Sequence, residues 1–261
     1  MKNFNFKSAA STKEATKLFT NKSAFLAGGM TLLPAIKLRL AAYSDLINIK
    51  KIKSLSGIKA SSKSLRIGST TIHADVANSK EVGKIIPSLA ILAEGIGDPQ
   101  VRNRGTIGGS IANNDPAADY PSACLALNAI IHTNKRKILA DKFFKGMFET
   151  DLKKGEIIET IEMEIPEKSA YAKYPNPASR YAIVGVYVAK LKKEVRVAVT
   201  GATSCVFRCK EIETALSENF SPSSIDNVDI LDKDFNSDIH ASAEYRVHMV
   251  KVMAKKAVSS C

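Results

Sequence analysis

The sequence predicts an α+β chain built from more than one unit, on three observations. Residues 1–55 alternate strand, helix, strand, helix, strand. The stretch that follows reads as hairpins, helices and a half-buried strand of period two. Beyond Pro166 to Ser169, an antiparallel run gives way to helices, which marks a boundary there.

The elements follow in order. In "STKEATKLF", Ser11 and Glu14 form a capping box, so a helix begins near Thr12. "SAFLAGG" is a short buried strand ending in glycine. "TLLPAIKLRL" is a helix with Thr31 as N-cap and Pro34 tolerated in its first turn, and "DLINIKKI" is a strand. "SGIKASSKSLRIGSTTIHADVANS" reads as a hairpin and a helix, and "SKEVGKIIPSLAILAEGIG" continues a helical pattern. "GTIGGSIANNDPAAD" reads as loop and short strand. "YPSACLALNA" is a helix capped by Asp119, and "AIIHTNKRKILA" is a hairpin. "GEIIETIEMEIP" alternates at period two, the pattern of a half-buried strand. "YAIVGVYVAKLKKEVRVAVTGATSCVF" gives two or three antiparallel strands turning at Lys192 and Lys193. "CKEIETALSE", a loose helix after Ser221-Pro222, and "ASAEYRVHMVKVMAKKAV" complete the chain. The last places Tyr245, Met249, Val252 and Met253 on one core-facing stripe.

Composition excludes several functions. At 45% hydrophobic and 25% charged residues the chain has a globular make-up. No apolar run approaches the roughly 20 residues of a membrane span. The start, "MKNFNFKSAASTKEATKLF", has no apolar signal region, so a cytoplasmic location is expected. The formal net charge of +12 is spread over scattered lysines, with no basic block and no tryptophan, which argues against nucleic acid. Cys124, Cys205, Cys209 and Cys261 form no CxxC, and His73, His132, His240 and His248 are isolated; no zinc centre or cluster site is expected.

Two stretches carry the chemistry: "AGGMT", Ala27 to Thr31, and "TIGGS", Thr106 to Ser110. Both put glycines where a backbone must approach something closely, and neither is GxGxxG, which disfavours a Rossmann site. Neither contains Lys or Arg. Converging backbone N–H groups and the hydroxyls of Thr31, Thr106 and Ser110 can neutralise a diphosphate without one, each charge-assisted bond contributing about 1.5–3 kcal/mol. Asp115 and Asp119 would repel a bare phosphate but accept from sugar hydroxyls, so FAD, with its diphosphate, ribose and ribityl chain, fits. Asp115 before Pro116 also sets a turn.

These residues resemble a known family. "AGGMTLLPAIKLRL", "IGDPQVRNRGTIGGSIANNDPAADYPSACLAL", "GEIIETIEMEIP", "YAKYPNPASRYAIVGV" and "ASAEYRVHMVKVMAKKAV" are similar, in order, to the FAD-binding medium subunit of molybdenum hydroxylases, the carbon monoxide dehydrogenase and xanthine dehydrogenase relatives. The resemblance implies a PCMH-type FAD-binding domain over 1–167, in subdomains of about 1–55 and 56–167. A C-terminal domain of antiparallel sheet plus helices over 168–261 would follow. It implies that Ala27, Gly28, Gly29, Met30 and Thr31, with Thr106, Gly108, Gly109 and Ser110, wrap the diphosphate, and that Asp119 binds ribityl or ribose hydroxyls. Ile158, Lys173 and Tyr181 would lie near the flavin ring. Where the family often has Gly-Asp before that aromatic, this chain has Ala178, Ser179 and Arg180.

The implied activity is that of an oxidoreductase subunit with no catalytic residue and no metal of its own. Electrons would pass from 2Fe–2S clusters on a small partner through FAD to an external acceptor, with substrate oxidised on a molybdenum-cofactor large subunit. A dimer of heterotrimers is expected. The alternative is a stand-alone FAD-dependent oxidase or reductase, which needs an acid or base over the flavin; the sequence offers no clear candidate.

Overall fold

The computed structural model describes residues 2–261. Its first unit is a three-stranded parallel sheet of β1 (Asn5–Ser8), β2 (Ser23–Leu26) and β3 (Asp45–Asn48), in the order β1-β3-β2. The crossovers are α1 (Thr12–Leu18) and α2 (Leu32–Lys37). Ser11 caps α1 as its sequence requires, and Ala15, Ile47, Ile52 and Leu55 close a small core. The Ala27–Thr31 stretch leaves the carboxyl end of β2, the edge at which ligands sit in open parallel sheets.

The second unit is an antiparallel five-stranded sheet. Its strands are β4 (Ile58–Ala60), β5 (Ser64–Gly68), β6 (Ile130–Thr133), β7 (Lys137–Leu139) and, after a short β8–β9 hairpin (Phe144–Gly146, Glu149–Thr150), β10 (Ile158–Glu164). They lie in the order β4-β5-β10-β6-β7. Helices α3 (His73–Asn78), α4 (Lys80–Ile85), α5 (Pro87–Glu94), α6 (Pro99–Arg102), α7 (Ile107–Asn113), α8 (Tyr120–Ala126) and α9 (Ala140–Phe143) surround it. The expected single helical pattern over Ser79–Gly97 breaks at Ile86, because the following Pro87 disfavours helical backbone there.

The third unit is the antiparallel sheet β11 (Lys168–Pro175), β12 (Ala182–Lys190), β13 (Val195–Thr200) and β14 (Phe207–Arg208), with α10 (Lys210–Glu218) and α11 (Ala243–Ser259). This sheet is covered on both faces, which explains its nearly continuous apolar strands. Val184, Val186, Val188, Val197 and Val199 face the C-terminal helices, whereas Tyr187, Ala189 and Ala198 join the core of the second unit.

Several expectations are corrected. "TIGGSIANN" is not loop and strand but the helix α7. Thr106 Oγ1 accepts from the Gly109 N–H at 3.1 Å, and the carbonyls of Thr71 and Ser69 accept from Ile107 and Gly108, so tertiary partners override the low helix propensity of two glycines. Thr31 makes no side-chain cap. The segment after Ser221 is a 3₁₀ turn, Pro222–Ile225. On α11, Met249 and Met253 are buried as expected, but Tyr245 and Val252 are exposed and Arg246 is inside, donating to the carbonyls of Ile183 and Gly201.

Candidate functional site

A cleft of about 560 Å³ opens where the three units meet, lined by residues 25–32 of the first, residues 105, 106, 108–110 and 156–158 of the second, and residues 178–181 of the third. The two glycine stretches touch: a Cβ on Gly28 would lie 2.2 Å from the Arg104 carbonyl oxygen, so residue 28 has no room for a side chain. Gly29 has φ +79°, a backbone state that a side chain would strain. Gly109, by contrast, is helical, and a Cβ there would meet the capping Thr106 Oγ1 at 2.9 Å.

The stretches differ in what they have left to offer a ligand. Among the described residues, none accepts from the N–H groups of Gly28, Gly29, Met30 or Thr31. In the second stretch, the N–H groups of Ile107, Gly108 and Gly109 are already bonded within the chain. The free backbone donors at this end of the cleft therefore belong to the first loop. The dimensions and donors suit a polyanionic ligand with a polyol arm.

Asp119 does not cap α8; it makes no bond to that helix's N–H groups, and its backbone is already helical. Instead Tyr171 Oη donates to Asp119 Oδ1 at 2.5 Å, and Lys173 Nζ lies 3.0 Å from the same oxygen. Burial raises the Asp119 carboxyl above its ordinary range, opposed by the Lys173 ammonium and the Tyr171 hydroxyl. Lys173 Nζ also donates to the Gly95 carbonyl at 2.8 Å. Lys173 thus acts through Asp119 and does not itself line the cleft, whereas every other expected cofactor residue does, Ile158 and Tyr181 included.

The remaining acids of the wall are committed. Asp98 accepts from the Val101 N–H and Asp115 from the Ala117 N–H. Glu156 accepts from Thr133 and Arg136; its burial would raise its pKa, but those bonds bring the net shift below the ordinary value. Tyr181 sits in a turn pinned by Asn176, whose Oδ1 accepts from Ala178 and Ser179, and which holds Arg180 at φ +62°.

Sequence reasoning missed Tyr43, Ser69, His73, Leu152, Glu156 and Ile157, all in the wall. Ile157 is adjacent to Ile158 in "GEIIET" and was within reach of a period-two argument. Ser69 and His73 lie in "GSTTIH", which carries no motif, and only the fold brings them under the second loop.

Residues 2–168 match the FAD binding domain in molybdopterin dehydrogenase, and residues 169–261 match the CO dehydrogenase flavoprotein C-terminal domain. The chain belongs to this family. It is an FAD-binding medium subunit of the molybdenum hydroxylase-type dehydrogenases, and its cofactor is FAD. The glyceraldehyde dehydrogenase medium chain of Sulfolobus acidocaldarius is 34% identical over 97% of this chain and 96% of its own. The carbon monoxide dehydrogenase medium chain of Hydrogenophaga pseudoflava is 32% identical over 90% of this chain and 88% of its own. A solved carbon monoxide dehydrogenase from the latter organism superposes with a TM-score of 0.88 at 30% identity, covering 99% of this chain and 96% of that one. These relatives are named medium chains of dehydrogenases, and no helix among the described residues of this FAD-binding subunit is long and apolar enough to cross a membrane.

Proposed function

We propose that this chain is the electron-transfer subunit of a molybdenum hydroxylase complex. It would be reduced by 2Fe–2S clusters on a small partner and reoxidised by an external acceptor, while a molybdenum-cofactor large subunit oxidises the substrate. A dimer of heterotrimers in the cytoplasm is the proposed assembly, and four free cysteines suit a reducing compartment. The proposed division is an FAD-binding domain over 1–167 and a C-terminal domain over 168–261. The observation that carries this reading is the cleft itself, which draws both glycine loops, Asp119 and Tyr181 into one wall.

FAD, when bound, supplies the capacity to take electrons singly and release them singly or in pairs. The chain's residues bind and orient it. The N–H groups of Gly28 to Thr31 receive the diphosphate, and Thr106 and Ser110 face it from the second loop. Asp119, fixed by Tyr171 and Lys173, accepts from ribityl or ribose hydroxyls. Buried Ile158 would keep water from the ring site, and half-exposed Tyr181 would leave part of it reachable from the surface.

Neither loop contains His or Cys, so the flavin is held without a covalent link. Acid precipitation of the purified, yellow chain should leave all flavin in the supernatant. Co-purification from the native host should bring molybdenum and iron with the chain, and activity should vanish when the chains are separated. A lone chain that turns over an organic substrate with an artificial acceptor sinks the proposal.

A further inference from the structure

Under the second glycine loop the cleft wall holds polar atoms that the chain does not satisfy. Ser69 and His73 are each 4% exposed, and both line the cleft. Among the described residues, no partner reaches Ser69 Oγ or His73 Nδ1. Buried polar side chains are almost always hydrogen-bonded in folded proteins, so two orphans in the lining of one cleft point to a ligand.

Both residues are fixed against the loop. The Gly108 N–H donates to the Ser69 carbonyl at 2.9 Å, and a Cβ on Gly108 would fall 2.5 Å from Ser69 Cβ. The His73 N–H donates to the Gly105 carbonyl at 3.0 Å, and a Cβ on Gly105 would fall 2.5 Å from His73 Nε2. The Tyr120 ring backs the imidazole at 5.3 Å between centroids. The loop's leading N–H groups, meanwhile, are consumed inside the chain. A loop that faces a diphosphate with its amides spent needs donors from elsewhere, and these two side chains line the cleft against it.

We propose that Ser69 Oγ and the His73 imidazole hydrogen-bond the FAD diphosphate directly, as the side-chain donors of the second loop. This rests on the cofactor reading above. Burial, and then the Arg102 guanidinium, push the His73 pKa down to about 4, so at neutral pH the ring contributes a hydrogen bond rather than a counter-charge.

The test uses the full chain carrying Ser69→Ala, His73→Phe, His73→Gln or His73→Asn. FAD and ADP affinities are read by titration, and the diphosphate of bound FAD by phosphorus NMR. Ser69→Ala should weaken FAD and ADP about tenfold, ~1.4 kcal/mol, and move the phosphorus resonances while leaving the visible flavin band unchanged. His73→Phe should do the same. Recovery by His73→Gln or His73→Asn, whose amides replace Nε2 or Nδ1 respectively, identifies the bonding nitrogen; recovery by neither overturns the assignment of His73. If His73→Phe does not fold, Ser69→Ala, which removes one oxygen, decides the case alone. A wild-type chain that binds neither FAD nor ADP defeats the cofactor reading. A wild-type chain that binds FAD tightly, with variants within about twofold of it and unmoved phosphorus resonances, overturns this inference alone.

Discussion

Removing the Asp119 carboxylate would leave the Lys173 ammonium largely out of water with the Gly95 carbonyl as its remaining partner. An uncompensated buried charge costs about 3–5 kcal/mol, more than the ~0.5–2 kcal/mol of a lost helix cap. Asp119→Ala is therefore expected to lower the urea midpoint by the larger amount, and adding Lys173→Met should restore much of it. A single-variant loss no greater than a cap's would contradict the ion-pair role. His73 gives a pH signature. Its pKa is lowered from 6.5 to about 4 on folding, so between those values the unfolded chain binds a proton that the folded chain does not. Stability contributed by the neutral ring is intact above the unfolded value and falls as pH drops towards the folded one, by up to ~3 kcal/mol. Denaturant titrations of the FAD-free chain across this range should show the decline in wild type and a flatter curve for His73→Phe.

At the scale of elements, α7 is the piece whose nature the residues concealed. Its C-cap is Asn114, left-handed at φ +45° and almost wholly buried. Asn114 Nδ2 donates to the Gly146 carbonyl at 2.7 Å and the Glu149 carbonyl at 2.9 Å, tying the helix to the β8–β9 hairpin. Asn114→Ala is expected to cost about 2–5 kcal/mol: roughly 1–2 for the left-handed backbone and 0.5–1.5 for each bond. Asn114→Gly should recover only the backbone part. Thermal unfolding with saturating FAD measures both, and equal melting points for the two variants would show that the hairpin tether, not the backbone state, dominates. The contact between the glycine stretches is an element-level feature too. Gly28→Ala must push α2's leading loop away from Arg104, and flavin content after purification should fall to near zero with far-UV dichroism retained.

For the whole molecule, the third unit holds the second loop's exit in place. The Gly201 N–H donates to the Pro116 carbonyl at 2.8 Å, Thr200 Oγ1 to the Ala118 carbonyl at 2.7 Å, and Tyr171 and Lys173 reach Asp119 from β11. The core of the second unit also includes Tyr187, Ala189 and Ala198 of the third. A fragment of residues 1–167 is therefore expected to aggregate and to retain no flavin, checked by gel filtration and absorbance. A monodisperse yellow fragment would show that the third unit is dispensable for binding.

Periodicity and capping were enough to read the parallel first unit, the period-two strand over Ile158–Glu164 and the antiparallel third unit, because each is specified by local pattern and a buried face. The glycine stretches were legible because a close backbone approach leaves glycine as the residue that fits, and of the residues named from the family likeness all but Lys173 line the cleft. Three features were not legible. The two glycines of α7 weaken the helical signal, and the carbonyls that stabilise it, Ser69 and Thr71, come from a distant turn. Asp119 looks like a cap, since the partners that claim it, Tyr171 and Lys173, lie some fifty residues on. Ser69 and His73 belong to no motif, and their unsatisfied atoms exist only because folding strips them of water without supplying a partner.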